Sequence, residues 1–537
     1  MRRWISVVAL ALAAAVGRCE TVAVTVLATT DLHGYIYPVD YVTGKPAALG
    51  LARIGTLIGE ARAQNPKSLL IDCGDTIQGS PLEAVYQAFV RTGADPLGNR
   101  LSAAALPHDP MMQAMNLLAY DLMVVGNHEF NFGLKNFERA RSEARFPWIA
   151  ADIEGGKPFP PFFVKTVDGV KVAVIGITTP AVPTWETPGN LGSYRFGNPV
   201  DAVKRALAEL RRREKPDLVL VAAHSGLGRN LTTGAAEDPG ENVVYELATQ
   251  VPELDAIVFG HTHSQLAGTS LGSVLLAQPK NWGASLARLD FQMERTPQGG
   301  WRVAAKTSRL LPATEQTIPM PGILAMTKPY EDATQRYLET PVAQSERALE
   351  ATRGREEDTA IVDAVQEAQL YYAQADVSLT ALFNPEVRIP KGQVTVREIA
   401  ALYPYDNELY AIEGTGKMLK DALENAARYF SKPGIPGYNY DMAAGVAYEI
   451  DPTRPEGDRI RNLRLHGAPV LPGQKLRIAV NSYRFAGSGG YGMFQGAKVL
   501  WRSQEGVREL LIRYYTQRKH LPVEPKNNWR LRPAPQP

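Results

Sequence analysis

The sequence predicts an α/β protein of two large domains. Three observations point there. The chain has 537 residues, more than one hydrophobic core organises. Short apolar runs alternate with segments of helical spacing through the first half. Five of those runs end on side chains able to bind metal. Buried strands that end this way act as rigid posts for chemistry at their carboxyl ends.

The elements follow in order. Val22 to Ala28 is a strand that runs into Asp31-Leu32-His33-Gly34. Leu49 to Ala63 has helical spacing, with Leu51, Ile54, Leu57 and Ile58 on one face. Ser68 to Ile71 is a strand ending in Asp72-Cys73-Gly74-Asp75. Pro110 starts a helix over Met111 to Tyr120. Leu122 to Val125 is a strand that stops at Gly126-Asn127-His128-Glu129. Leu134 to Ala144 is a helix, Lys171 to Ile177 a strand, and Val200 to Arg213 a helix with a basic end. Asp217 to Ala223 is a strand running into His224, and Glu241 to Thr249 a helix. Asp255 to Phe259 is a strand running into Gly260-His261-Thr262-His263. Leu271 to Ala277 and Ala284 to Met293 read as closing strands. The pattern then changes: a helix over Leu324 to Leu338, flanked by prolines, connects to a mixed α+β region rich in Tyr, Pro and Gly. The expected domains are 20–317 and 346–537, joined by a linker helix over 318–345.

Composition bounds the partners. Hydrophobic content of 45%, charged content of 21% and a net charge of +2 describe an ordinary globular protein, and they give no footprint for a nucleic acid polymer. Arg2 and Arg3 precede an apolar run, Ile5 to Val16, that is too short to span a bilayer but fits a signal core. Residues 1–19 are expected to be a signal peptide. The mature chain is then exported, secreted or periplasmic, a monomer without a stable membrane span. Arg18 argues against a lipid-attachment box at Cys19. With only Cys19 and Cys73, no disulfide framework exists, and whether the two pair is left open.

Asp31, His33, Asp75, Asn127, His224, His261 and His263 all fall just after predicted strands, so the fold should gather them at one edge. Five of the eight histidines lie in these motifs. The donors are nitrogen and oxygen without thiolate, which suits Zn, Mn, Co or Fe. Seven donors are too many for one ion. Two divalent metal ions sharing a bridging carboxylate use them well, and such a centre delivers hydroxide at neutral pH and clamps the oxygens of an in-line displacement at phosphorus. Each motif alone has a bland reading, as a helix-entry cap or a polar turn. The set does not.

Asp31-X-His33, Gly74-Asp75, Gly126-Asn127-His128-Glu129, His224 and Gly260-His261-X-His263 resemble the motifs of the calcineurin-like metallophosphoesterases, in the same order. Over roughly residues 22 to 530 the chain resembles the two-domain secreted 5′-nucleotidases and 2′,3′-cyclic-nucleotide phosphodiesterases. The resemblance implies a four-layer sandwich of mixed sheets flanked by helices, followed by an α+β nucleotide-binding domain. It implies that Asp31, His33, Asp75 and His263 hold one metal. Asp75, Asn127, His224 and His261 would hold the other, with Asp75 bridging. By the same resemblance His128 contacts the phosphoryl group, while Glu129 orients its loop. Asn131 stands where the 5′-nucleotidase branch has Asp, and a neutral amide cannot stabilise an imidazolium as a carboxylate would. That difference favours the branch that opens 2′,3′-cyclic nucleotides and then removes the 3′-phosphate, over a 5′-nucleotidase or nucleotide-sugar hydrolase. A catalytically inactive nucleotide sensor is the alternative from another class.

In the second domain, Tyr405 and Tyr483 lie in stretches that could stack a nucleobase, or could be ordinary core tyrosines. The resemblance assigns them the base-stacking positions, with Asn407 as a polar contact. Gly487-Ser488-Gly489-Gly490-Tyr491-Gly492 matches a dinucleotide fingerprint only as a pattern, since no leading βαβ unit precedes it.

Overall fold

The computed structural model describes residues 20–236, 240–405 and 407–532. The segment 1–19, on which the signal-peptide expectation and Cys19 fall, lies outside them. Two six-stranded sheets face each other in the first half. The first runs, in spatial order, Trp301–Pro312, Ser285–Arg295, Thr21–Thr29, Leu69–Asp72, Leu122–Val124, Trp148–Ile149. The second runs Leu266–Leu271, Val274–Gln278, Ala256–Phe259, Leu218–His224, Val170–Thr178, Phe162–Val167. The central strands of each sheet pair in parallel.

The two-residue period of a strand explains their unbroken apolar sequences. Val170, Val172 and Val174 point between the sheets, while Ala173, Ile175 and Ile177 point outward under helices. Helices Pro199–Arg213 and Val244–Gln250 cover that outer face. Helices Leu51–Gln64, Pro81–Thr92, Pro110–Leu117 and Leu134–Glu143 pack in the cluster on the other sheet, giving four layers. Three of these helices start alike, with a polar cap followed by proline. Ser80, Asp109 and Asn198 each accept a backbone N–H of the first turn.

Several boundaries differ from the sequence reading. Leu271 to Ala277 is not one strand: Gly272, at φ 59°, turns the chain between two antiparallel strands. The helix from Pro110 ends at Leu117, and Ala119 turns left-handed at φ 53°. The segment expected to be helical from Glu241 becomes so only at Val244. The backbone carbonyl of Glu241 instead accepts the hydroxyls of Thr179 and Ser225.

Helix Pro321–Glu339 packs against the helices of the first half, and the Tyr330 hydroxyl donates to the His108 carbonyl at 2.6 Å. Beyond it lie a five-stranded sheet (Asp441–Ala444, Val377–Ala381, Lys475–Asn481, Glu408–Thr415, Val499–Gly506) and a four-stranded sheet (Ala468–Pro469, Ile460–Leu465, Val446–Ile450, Trp529–Leu531). Three long helices, Ala360–Ala373, Gly416–Ala427 and Val507–Arg518, pack on them. Among the described residues no helix is long and apolar enough to cross a membrane.

Arg484 ties the loops of this half together. Its guanidinium donates twice to Asp441, at 2.8 Å each, and also to the carbonyl of Tyr438 and to Asn439. Both members of the ion pair are only 1% exposed. Arg484→Met should therefore strand a buried carboxylate and cost about 3–5 kcal/mol of stability. Urea unfolding of the full chain checks this, and an unchanged midpoint contradicts it.

Candidate metal centre

Parallel strands deliver the candidate residues to one edge. Asp31, Asp75 and Asn127 follow neighbouring strands of the first sheet, while His224 and the His261–His263 pair follow neighbouring strands of the second. The backbone there is unusual. Asp31, His33, Asp75, His261 and His263 all have positive φ, from 49° to 71°. A side chain in the left-handed region costs about 1 kcal/mol or more, and such residues persist only where their surroundings hold them. Asp31 N–H donates to the Gly74 carbonyl at 2.9 Å, His33 N–H to the Asp75 carbonyl at 2.8 Å, and Trp282 N–H to the Asp31 carbonyl at 2.8 Å.

The side chains form two groups. Asp31, His33 and His263 gather their ligand atoms within 4.8 Å of one another, and so do Asp75, His224 and His261. Asp75 lies between the groups: its Oδ2 is 3.1 Å from His224 Nε2 and 3.9 Å from His33 Nε2. Asn127 Oδ1 joins the second group, 3.0 Å from His224 Nε2. In the first, His33 Nε2 and His263 Nε2 are 2.8 Å apart.

The donor chemistry fits divalent cations. His33 Nδ1 donates to the Gln78 carbonyl, and His224 Nδ1 to the Cys73 carbonyl, both at 2.7 Å. A carbonyl only accepts, so Nδ1 carries a proton and Nε2 faces the pocket, where it offers a lone pair whenever the ring is neutral. Asp31 and Asp75 are buried at 0% and 1% exposure, and among the described residues neither pairs with Lys or Arg. Buried carboxylates without a cation are costly. The imidazoles feel this field. Burial and the neighbouring His263 hold His33 neutral, with its pKa lowered to about 4. Burial works against charging His224, yet Asp75 outweighs it and lifts the pKa to about 10. Burial likewise works to raise Asp75, and His224, His128 and His33 hold it well below the carboxylate range instead.

Glu129 does not reach into the pocket. Its carboxylate accepts the N–H of Gly126 at 2.7 Å, of Asp75 at 2.9 Å and of Thr76 at 2.6 Å, so it fixes the two loops that carry Asp75 and Asn127. A Cβ on Gly126 would lie within 3.0 Å of both carboxylates, which explains glycine there. His128 sits at the rim, 29% exposed, with Nε2 3.9 Å from Asp75 Oδ2 and Nδ1 2.5 Å from Asn131 Oδ1.

Three neighbours escaped the sequence reading: Glu186, which accepts from Asn131 Nδ2 at 2.7 Å; Trp185, stacked on His261 with ring centres 5.4 Å apart; and Glu241, 3.7 Å from His261 Nε2. None follows a strand, so periodicity offered no signal for them. In the second half Tyr405 and Tyr483 are 44% and 42% exposed, more than core tyrosines would be. Phe383 packs edge-on to Tyr405 at 5.0 Å, and Arg484 backs Tyr483 at 5.3 Å. Asn407 Nδ2 donates to the buried Tyr403 hydroxyl at 3.3 Å.

Glu129→Gln replaces an acceptor of three backbone N–H groups with an amide whose NH2 cannot accept. It should weaken divalent-ion binding by about 10- to 100-fold. Calorimetric titration with Mn or Zn reads this, and unchanged affinity contradicts the loop-fixing role.

Residues 24–265 match the family Calcineurin-like phosphoesterase, and residues 339–496 match 5'-nucleotidase, C-terminal domain. The 2',3'-cyclic-nucleotide 2'-phosphodiesterase/3'-nucleotidase of Yersinia enterocolitica is 29% identical, over 97% of this chain and 90% of that protein. The trifunctional nucleotide phosphoesterase protein YfkN of Bacillus subtilis is 28% identical over 95% of this chain, which spans only 39% of YfkN. Among solved structures, a candidate 5′-nucleotidase from Staphylococcus aureus, in complex with alpha-ketoglutarate, superposes with a TM-score of 0.74 at 26% identity, covering 95% of this chain and 100% of that one. With both matches and the fold in agreement, the first half is a calcineurin-like phosphoesterase domain and the second half carries a 5′-nucleotidase C-terminal domain, the make-up of an enzyme that hydrolyses phosphoester bonds.

Proposed function

We propose that this chain is a divalent-metal nucleotide phosphoesterase that opens 2′,3′-cyclic nucleotides and then hydrolyses the 3′-nucleotide to nucleoside and phosphate. The observation that carries the reading is the convergence of two donor groups on the Asp75 carboxylate, with His128 at their rim. In this reading Asp31, His33, Asp75 and His263 hold one ion, and Asp75, Asn127, His224 and His261 the other. When bound, such a pair supplies Lewis acidity and a nucleophilic water for in-line displacement at phosphorus.

The chain's own residues do the rest. Carbonyl-anchored His33 and His224 keep their Nε2 atoms aimed inward. His128, partly exposed and anchored through Nδ1, offers Nε2 to the departing ribose oxygen and gives it a proton. Tyr405 and Tyr483 stack the base, and Asn407 lines their site. Domains 20–317 and 346–537 thus divide chemistry from recognition. The name of the Yersinia relative supports the cyclic-nucleotide preference, as does Asn131 in place of the Asp of the 5′-nucleotidase branch. The rival reading, a 5′-nucleotidase, draws on the Staphylococcus neighbour. The charged start and apolar run of residues 1–19 support export to the periplasm.

The test is turnover by protein stripped with a chelator and reloaded with Mn, Zn or Co. The expected result is metal-dependent conversion of 2′,3′-cyclic AMP through 3′-AMP to adenosine, faster than release of phosphate from 5′-AMP. The reverse order moves the chain to the 5′-nucleotidase branch. Metal and nucleotide binding without turnover makes it a sensor. Asp75→Asn should cut kcat by about 10²- to 10³-fold. Tyr405→Ala should raise KM by about 5- to 100-fold with little change in kcat, as loss of base stacking requires. An unchanged KM for every nucleotide removes Tyr405 from the site.

A further inference from the structure

We propose that Glu186 is a positioning residue for His128, acting through the side-chain amide of Asn131. The geometry is a three-member relay. His128 Nδ1 lies 2.5 Å from Asn131 Oδ1, and Asn131 Nδ2 donates to Glu186 Oε2 at 2.7 Å. Glu186 is 7% exposed. Its other oxygen accepts from Thr187 N–H at 2.6 Å and from Asn190 Nδ2 at 2.9 Å. Every one of these partners is a donor, so both Glu186 oxygens act as acceptors.

The relay fixes protons by elimination. A carboxylate only accepts, so Asn131 must present its NH2 to Glu186 and its oxygen to His128. That oxygen also only accepts, so His128 Nδ1 must carry a proton. Neutral His128 then keeps its lone pair on Nε2, the atom 3.9 Å from Asp75 Oδ2. Nε2 is therefore the atom that gains and gives the catalytic proton. Reversing the Asn131 amide would reverse this order, moving the lone pair to Nδ1, away from the substrate.

The same arrangement accounts for asparagine at position 131. An Asp there would set two carboxylates in hydrogen-bonding contact in a buried place, which is unfavourable. With Asn, the negative charge sits one residue further back and polarises the amide toward His128. The segment is anchored from several sides. Asn190 Nδ2 also donates to the Asn131 carbonyl at 3.2 Å, and Trp185, next to Glu186, stacks on His261. Arg502, from the second half, donates to the carbonyl of Thr184. The inference rests on the phosphoesterase reading only for the role of His128, not for the substrate.

The test uses the full chain, zinc-loaded and labelled with ¹⁵N-histidine, with the pH raised until the His128 ring signals stop moving, so that the neutral ring is read. The ring signals of His128 are identified by their loss in His128→Gln. The wild type should show the Nδ1–H tautomer, and Glu186→Gln a mixture of tautomers. On bis(4-nitrophenyl) phosphate, Glu186→Gln should lower kcat by about 10- to 100-fold, with KM changed less than about twofold. Asn131→Asp should be poor alone, and at least about tenfold faster when combined with Glu186→Gln, because the facing charge is gone. An Nε2–H tautomer in the wild type overturns the proposal, a result that needs no variant to fold. So does a double variant no faster than Asn131→Asp. Neither readout uses a nucleotide, so failure of the substrate reading is told apart from failure of the relay.

Discussion

The structure depends on one buried carboxylate. Asp75 sits at 1% exposure among the Nε2 atoms of His33, His128 and His224. Its other oxygen accepts the backbone N–H of His128 at 2.8 Å, and its own N–H is held by Glu129. A charge so placed is costly unless cations neutralise it. The left-handed backbone at Asp31, His33, Asp75, His261 and His263 adds to that cost. Two close-packed sheets absorb both. Their parallel strands fix where each loop begins, and the apolar layers on either side leave the loops little room to relax.

The two halves solve different problems. Around the candidate metal ligands the fold holds the groups closely: carbonyls orient His33 and His224, Glu129 fixes the Asp75 loop, and the His261 N–H and Thr30 hydroxyl hold Asp31. That rigidity suits chemistry, where a displacement of about 1 Å is expensive. In the second half the candidate recognition groups are exposed rings: Tyr405 packs against Phe383, and Tyr483, in the short helix Ser482–Phe485, is backed by Arg484.

Much of this was legible in the sequence. The strand posts carrying Asp31, His33, Asp75, Asn127, His224, His261 and His263 could be read because each apolar run ends abruptly on polar residues, and a parallel sheet gathers such ends. The structure brings all seven side chains into one pocket. The four-layer architecture followed from the resemblance these motifs carry. What could not be read depends on contacts without periodicity. Glu186 meets Asn131 across 55 positions, and Glu241 meets His261 from a loop expected to be helical. The hairpin at Gly272 was read as a single strand because its turn is only Gly272-Ser273, with strand-forming residues on either side. Helix Pro81–Thr92 and strand Trp301–Pro312 went unread; the strand has an irregular exposed face.

The central claim is that Asp75 is shared by two ions. Anomalous diffraction from crystals grown with Mn, collected on both sides of its absorption edge, tests this most directly. The account predicts two peaks about 3.5–4 Å apart, flanking Asp75 Oδ2, with Asp31, His33 and His263 around one and Asn127, His224 and His261 around the other. A single peak, or two peaks of which only one lies beside Asp75, would contradict it.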